Sequence, residues 1–171
     1  MSTELAPYSA IAIDGPAASG KSTVARLLAT RLGLIMVNSG EMYRAVTVAV
    51  VEAGLDPRDA PAIAALAATL DLDCTVEQGR SRVLLAGGHP GDALRSDKVN
   101  AAVSGVAAVP EVRELLVAAQ RALLQQGDLV MEGRDIGSVV FPKAELKFFI
   151  TADINVRAEN KILDLNIRPF N

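Results

Sequence analysis

The sequence predicts an α/β fold of three layers: a parallel sheet with helices on both faces, carrying an inserted antiparallel β-containing segment. Three observations predict it. Short apolar runs alternate with stretches of helical spacing from Ile11 to Ala53. A glycine-rich loop joins the first apolar run to the first helical stretch. The middle of the chain then switches to two strand-like segments around a tight turn before the alternation resumes.

Ile11-Ala12-Ile13-Asp14 is a short apolar run ending at a glycine and reads as a buried parallel strand. Ser22 to Leu32 follows with Val24, Leu27, Leu28 and Leu32 at helical spacing, and Gly33 stands where a C-cap belongs. Leu34 to Val37 is a second strand, and Met42 to Ala53 a second helix stopped near Gly54. Ala62 to Leu70 reads as a short helix. Asp73 to Glu77 and Arg82 to Ala86, around Gln78-Gly79, read as an antiparallel hairpin, and Gly87, Gly88, Pro90 and Gly91 form the next break. The stretch from about Pro61 to Asn100 is therefore expected to be an inserted subdomain rather than more of the parallel sheet. Pro110 to Gln126 predicts a long helix, with Pro110 in its first turn, Glu111 and Glu114 complementing the dipole, and Gly127 ending it. Its apolar stripe is Val112, Leu115, Leu116, Ala119 and Leu123. Leu129-Val130-Met131 is a core strand running into Glu132-Gly133-Arg134-Asp135, Leu146 to Ile150 is another strand, and Ala152 to Leu165 a last helix.

At 171 residues the chain is about one domain. Half of it is apolar, enough for a real core, and the formal net charge is −3. That balance argues against a nucleic-acid or membrane-surface partner, whose phosphates call for excess Lys and Arg. The single cysteine, Cys74, reads as a half-buried strand residue and points to a reducing, cytoplasmic setting. Met1 to Ala10 has no apolar run and does not read as a signal peptide, and no stretch is long and apolar enough for a transmembrane helix. His89, in Gly-Gly-His-Pro-Gly, reads as a turn residue.

The chemistry begins at Gly15-Pro16-Ala17-Ala18-Ser19-Gly20-Lys21-Ser22, a complete G-x-x-x-x-G-K-[ST] loop followed by Thr23. A strand precedes it and a helix follows, the setting this P-loop requires. Its inward backbone N–H groups and the helix N-terminus suit phosphate oxygens. Lys21 can reach the β- and γ-phosphates, and the Ser22 hydroxyl can join a Mg²⁺ shell. The expected co-substrate is ATP. No Asn-Lys-x-Asp guanine-reading motif is present. The expected fold is thus a P-loop NTPase-type sheet.

Three further segments place arginines near the carboxyl ends of the strands, where an open parallel sheet binds ligands. They are Asn38 to Arg44, Ser104 to Arg113, and Gly133-Arg134-Asp135-Ile136-Gly137. Arg44, Arg113 and Arg134 are expected to converge on a second phosphate. Tyr43 reads as packing beside that site.

Taken together, Ile13 to Ala17 with the P-loop, Ser39-Gly40-Glu41-Met42-Tyr43-Arg44, Val109 to Glu114, and Glu132 to Pro142 resemble the bacterial cytidylate kinases, a (d)CMP kinase family of P-loop nucleoside monophosphate kinases. The resemblance covers roughly residues 9 to 158 and implies phosphoryl transfer from ATP to CMP or dCMP, with Mg²⁺. It implies monophosphate contacts from Arg44 and Arg134 with Arg113 close by, cytosine contacts from Ser39 and Asp135, and a ribose contact from Ser104. Lys21 and Arg134 carry the catalytic role in this reading. The domain is expected as a core of about 9–60 and 101–158, a nucleoside monophosphate-binding insert of about 61–100, and a divergent tail of 160–171.

Family members usually continue into a mobile lid and a last strand, both expected to be missing here. Asn160-Lys161 stands where the family usually has paired arginines. Two other readings stay open: a truncated nucleotide-binding remnant with little or no kinase activity, and a kinase for another small acceptor. The expected form is a monomer, with an exposed sheet edge as the route to self-association.

Overall fold

The computed structural model describes residues 9–164, with side chains through Asn160. The remainder of the expected tail, 165–171, lies outside the described residues. Six strands form one sheet in the order β3-β4-β2-β5-β1-β6. They are β1 (Ala10–Asp14), β2 (Ile35–Asn38), β3 (Leu72–Glu77), β4 (Arg80–Leu85), β5 (Leu129–Gly133) and β6 (Leu146–Phe149). β2, β5, β1 and β6 are parallel neighbours, with Ile11 opposite Val130 and Leu146, and Met36 opposite Val130. The helices are α1 (Lys21–Leu32), α2 (Ser39–Glu52), α3 (Ala60–Ala67), α4 (Asp97–Val106), α5 (Pro110–Ala122) and α6 (Ile154–Asp164).

The period-2 pattern of the strands divides the core in two. Ala12, Val37, Leu129 and Met131 point to one face, against Leu123, Ile136 and Val140. Ile13, Met36 and Val130 point to the other, against Ala25 and Ala29 of α1. β5 lies between β2 and β1 and all five of its residues are buried, including Glu132. A carboxylate inside a strand with no exposed residue needs a partner, and that partner lies in the site.

The hairpin turns at Gln78-Gly79, both with positive φ, as read from the sequence. It was expected to stand apart from the parallel sheet. Instead Arg80 of β4 pairs with Met36 of β2, and the Met36 N–H donates to the Gly79 carbonyl at 2.8 Å. β4 makes that single pairing and then diverges, so the hairpin extends the sheet edge from one point of attachment. At the opposite edge all four residues of β6 are exposed, the surface the expected self-association would use. α2 begins at Ser39, immediately after β2, earlier than the spacing of its apolar residues suggests. α4 was not read as a helix at all, and position 100, the expected end of the insert, falls inside it. Among the described residues no helix is long and apolar enough to cross a membrane.

The buried stripe of α5 is Val112, Leu116 and Gln120. Gln120 is 1% exposed, and among the described residues neither amide atom has a partner in hydrogen-bond geometry, although the Tyr43 hydroxyl lies near it. An unmet buried polar group costs about 1–3 kcal/mol. Gln120→Leu is therefore expected to melt at or above the parent temperature in a thermal scan. A fall of several degrees would show that the amide is satisfied, by the Tyr43 hydroxyl or by ordered water.

Candidate functional site

The strands run parallel, so β1, β2 and β5 deliver Asp14, Asn38 and Gly133 to one edge of the sheet. The loop from Gly15 to Gly20 turns there. Gly15 has φ +148°, and an added Cβ would collide with the Ile150 carbonyl oxygen, so only glycine fits against the chain leaving β6. Ala18 and Gly20 also have positive φ, of 60° and 90°. That backbone directs amides inward, toward the start of α1. The Ser19 hydroxyl is buried there with no hydrogen-bond partner among the described residues.

Lys21 is 8% exposed and its ammonium donates to the Pro16 carbonyl at 2.6 Å. Burial pushes its pKa down, Glu132 and Asp14 oppose that shift, and Arg134 and Arg157 add to it. The Ser22 hydroxyl donates to Glu132 Oε1 at 2.7 Å. Burial pushes the Glu132 carboxyl up, against the Ser22 bond and the Lys21 charge. The result is a buried ammonium, a hydroxyl and a carboxylate at the mouth of an amide-lined loop.

Ser39 is buried at the start of α2, and its hydroxyl donates to the Glu132 carbonyl at 2.9 Å. Arg113 of α5 and Asp135 form an ion pair, and the Tyr43 hydroxyl senses both charges. Arg134 stands exposed at the end of β5, and its charge disfavours that of the Lys21 ammonium. The structure thus brings Ser39, Arg113, Arg134 and Asp135 to the P-loop edge. Arg44 turns away from them, donating to the Leu94 carbonyl and to Asn100 Oδ1, both at 2.8 Å. Ser104 stands exposed on α4 rather than in the segment leading into α5.

Four contributors carry little signal of their own in the sequence. Glu132 was quoted only as part of a motif, although a carboxylate closing an apolar strand was the signal. Asp14 was noted only as the residue before the loop. From α6, Arg157 Nε donates to the Ala17 carbonyl at 3.2 Å and Asn160 Nδ2 to the Ala18 carbonyl at 3.1 Å. Nothing local in the sequence foretells that pairing. His89 acts as a turn residue, its Nδ1 accepting from the Gly91 N–H at 3.0 Å. Cys74 lies half-buried in β3, and burial pushes its thiol up to about 11.

Sheet order, loop and arginine turn define a P-loop α/β protein of the nucleoside monophosphate kinase type. The family model for cytidylate kinase matches residues 11–171, and the chain belongs to that family. It is 47% identical over 161 residues to a cytidylate kinase of Pelotomaculum thermopropionicum, covering 94% of this chain and 71% of the relative. It is 44% identical to one from Symbiobacterium thermophilum, covering 91% and 69%. A bifunctional pantoate ligase/cytidylate kinase of Synechococcus sp. (strain CC9605) is 49% identical over 94% of this chain. The chain spans 34% of that relative's length.

Proposed function

We propose that this chain transfers the γ-phosphoryl group of ATP to CMP or dCMP, giving ADP and CDP or dCDP. The observation that carries the reading is the meeting, on one sheet edge, of the Lys21–Ser22–Glu132 cradle with Arg134 and the Arg113–Asp135 pair.

In this reading Gly15 to Thr23 wraps the triphosphate, and Lys21 and Arg134 spread the charge of the transferring group. Arg44 and Arg134 grip the acceptor phosphate with Arg113 close by, Arg44 being released from Leu94 and Asn100. Ser39 and Asp135 face the cytosine edge, and Ser104 the ribose. An acceptor phosphate oxygen forms the new bond to the γ-phosphorus as the bond to the β-bridging oxygen breaks, and ADP leaves with that electron pair. No covalent enzyme intermediate is needed, so the protein's part is alignment and neutralisation.

The donor set also suits Mg²⁺, which binds through one or two carboxylates plus substrate phosphates. The Ser22 hydroxyl and the Glu132 carboxylate would hold it. Among the described residues no larger acidic or His/Cys cluster competes. When bound, Mg²⁺ supplies further neutralisation of the phosphate oxygens. The cytoplasmic setting read from the sequence belongs to the same proposal.

A coupled assay for ADP release with CMP, dCMP, UMP and AMP tests the reading. CMP- or dCMP-dependent release is expected. ATP binding with no acceptor-dependent release would replace it with the second reading, a nucleotide-binding protein without turnover. That reading is favoured by the internal engagement of Arg44 and Arg113.

A further inference from the structure

Asp14 closes β1 and immediately precedes the first glycine of the P-loop. Its backbone is held on both sides, opposite Gly133 of β5 and opposite Phe149 of β6, and its carbonyl accepts from the Ile150 N–H at 2.8 Å. Its side chain reaches past the end of β5. Oδ1 accepts from the Ile136 N–H at 2.7 Å and Oδ2 from the Gly137 N–H at 2.8 Å. These are charge-assisted bonds, shorter and stronger than neutral ones. They meet two backbone donors in a turn where Ile136 is fully buried.

What lies between those anchor points matters most. Gly133 is fixed by the ladder opposite Asp14, and Ile136 and Gly137 are fixed by the Asp14 carboxylate. Only Arg134 and Asp135 span the interval, so both ends of their two-residue bridge are tied to one residue. The approach is close: a Cβ on Gly137 would lie 3.2 Å from Asp14 Oδ2 and 2.9 Å from Lys147 Cδ. Downstream, the turn continues through Ile136–Val140 with wide helical spacing, the Phe141 N–H donating to the Ile136 carbonyl at 2.7 Å. The far side of the bridge is therefore firm as well.

We propose that Asp14 is the positioning residue that sets the spacing between the two phosphate sites. It locks the Arg134–Asp135 turn at a fixed offset from the P-loop, so that Arg134 meets the transferring group and Asp135 the acceptor in one register. The proposal rests on the phosphoryl-transfer reading above. Asp14 touches neither substrate in this account. Its effect passes through the turn, and a misplacement of about 1 Å can cost on the order of a hundredfold in rate.

The test is Asp14→Asn, which keeps the side-chain shape and one acceptor oxygen but sets an NH₂ group against a backbone donor. Turnover with CMP is expected to fall about a hundredfold with a raised KM for CMP, while ATP affinity, titrated without acceptor, stays within about threefold. In an Arg134→Met background the same change should add clearly less than its hundredfold loss in the parent, because the Arg134 share of the alignment is already gone and only the Asp135 share remains. Amide exchange at Ile136 and Gly137 should accelerate while exchange at Ser19 to Ser22 does not. Gly137→Ala crowds the carboxylate without removing it and should give the same split at smaller amplitude.

Equal losses in ATP affinity and acceptor turnover, additive with Arg134→Met, would overturn the proposal in favour of a role in the P-loop alone. Unchanged acceptor kinetics would overturn it too. If the parent protein shows no CMP-dependent release, the phosphoryl-transfer reading fails separately. Exchange then decides: acceleration at Ile136 and Gly137 upholds the clamp, and no change refutes it.

Discussion

Lys21→Ala is expected to lower CMP-dependent ADP formation by about three orders of magnitude or more. Loss of a single neutral donor to a developing oxyanion costs about 10²–10³ in rate. Here a full cation is removed from a site where it is 8% exposed, so water replaces little of its field. The same burial makes the ammonium a poor contributor to stability. Its charge is disfavoured by desolvation above all, the Glu132 and Asp14 charges only partly offset that, and its ammonium donates to the Pro16 carbonyl. Lys21→Met keeps most of the stem's volume and is expected to melt no lower than the parent. Initial rates and thermal melts on the same preparations check both halves. A Lys21→Ala protein with unchanged turnover would sink the mechanism.

That division between activity and stability explains which parts of the site could be read in advance. The phosphate cradle lies within eight consecutive residues, because the backbone amides that grip a phosphate must come from one loop. Its pattern survives as text. Arg113, Arg134 and Asp135 were individually visible beside apolar strands and helix starts. Their pairing was not, because it depends on how α5 lies across the end of β5. Asp14 and Ile136 are 122 positions apart, and only the β1–β5 register makes them neighbours.

The three central parallel strands, β2, β5 and β1, were legible for a similar local reason. Residues buried on both faces leave unbroken apolar runs. α4 was missed because its β-branched and small residues have modest helix propensity, and its helix is held by packing. Val99, Ala102 and Val106 are buried at helical spacing, and the Ser96 hydroxyl caps the start by accepting from the Val99 N–H. Those two signals, taken together, could have found it. The Leu94 and Asn100 contacts of Arg44 were not legible, because a residue type predicts what a side chain can bind and not which acceptor lies within reach.

Glu132→Gln is the sharper test of how the site departs from what the fold prefers. Glu132 lies 5% exposed in a strand buried along its whole length, with burial working against its charge and Ser22 and Lys21 only partly offsetting it. An amide of the same shape can still accept from the Ser22 hydroxyl through its oxygen, so packing and that bond survive while the charge disappears. The variant is expected to melt as high as the parent or a few degrees higher. Turnover should nevertheless fall about a hundredfold or more, with a higher Mg²⁺ concentration needed for half-maximal rate, because the hard anionic ligand is gone. Lys21 also loses its main countercharge, which deepens the disfavour already imposed by burial. A melt several degrees below the parent would mean that the Lys21–Glu132 attraction outweighs the desolvation of the carboxylate. Parental Mg²⁺ dependence would remove Glu132 from the donor set. Stability kept and turnover lost would show that this carboxylate sits in the core at the fold's expense and for the sake of the cation it would hold.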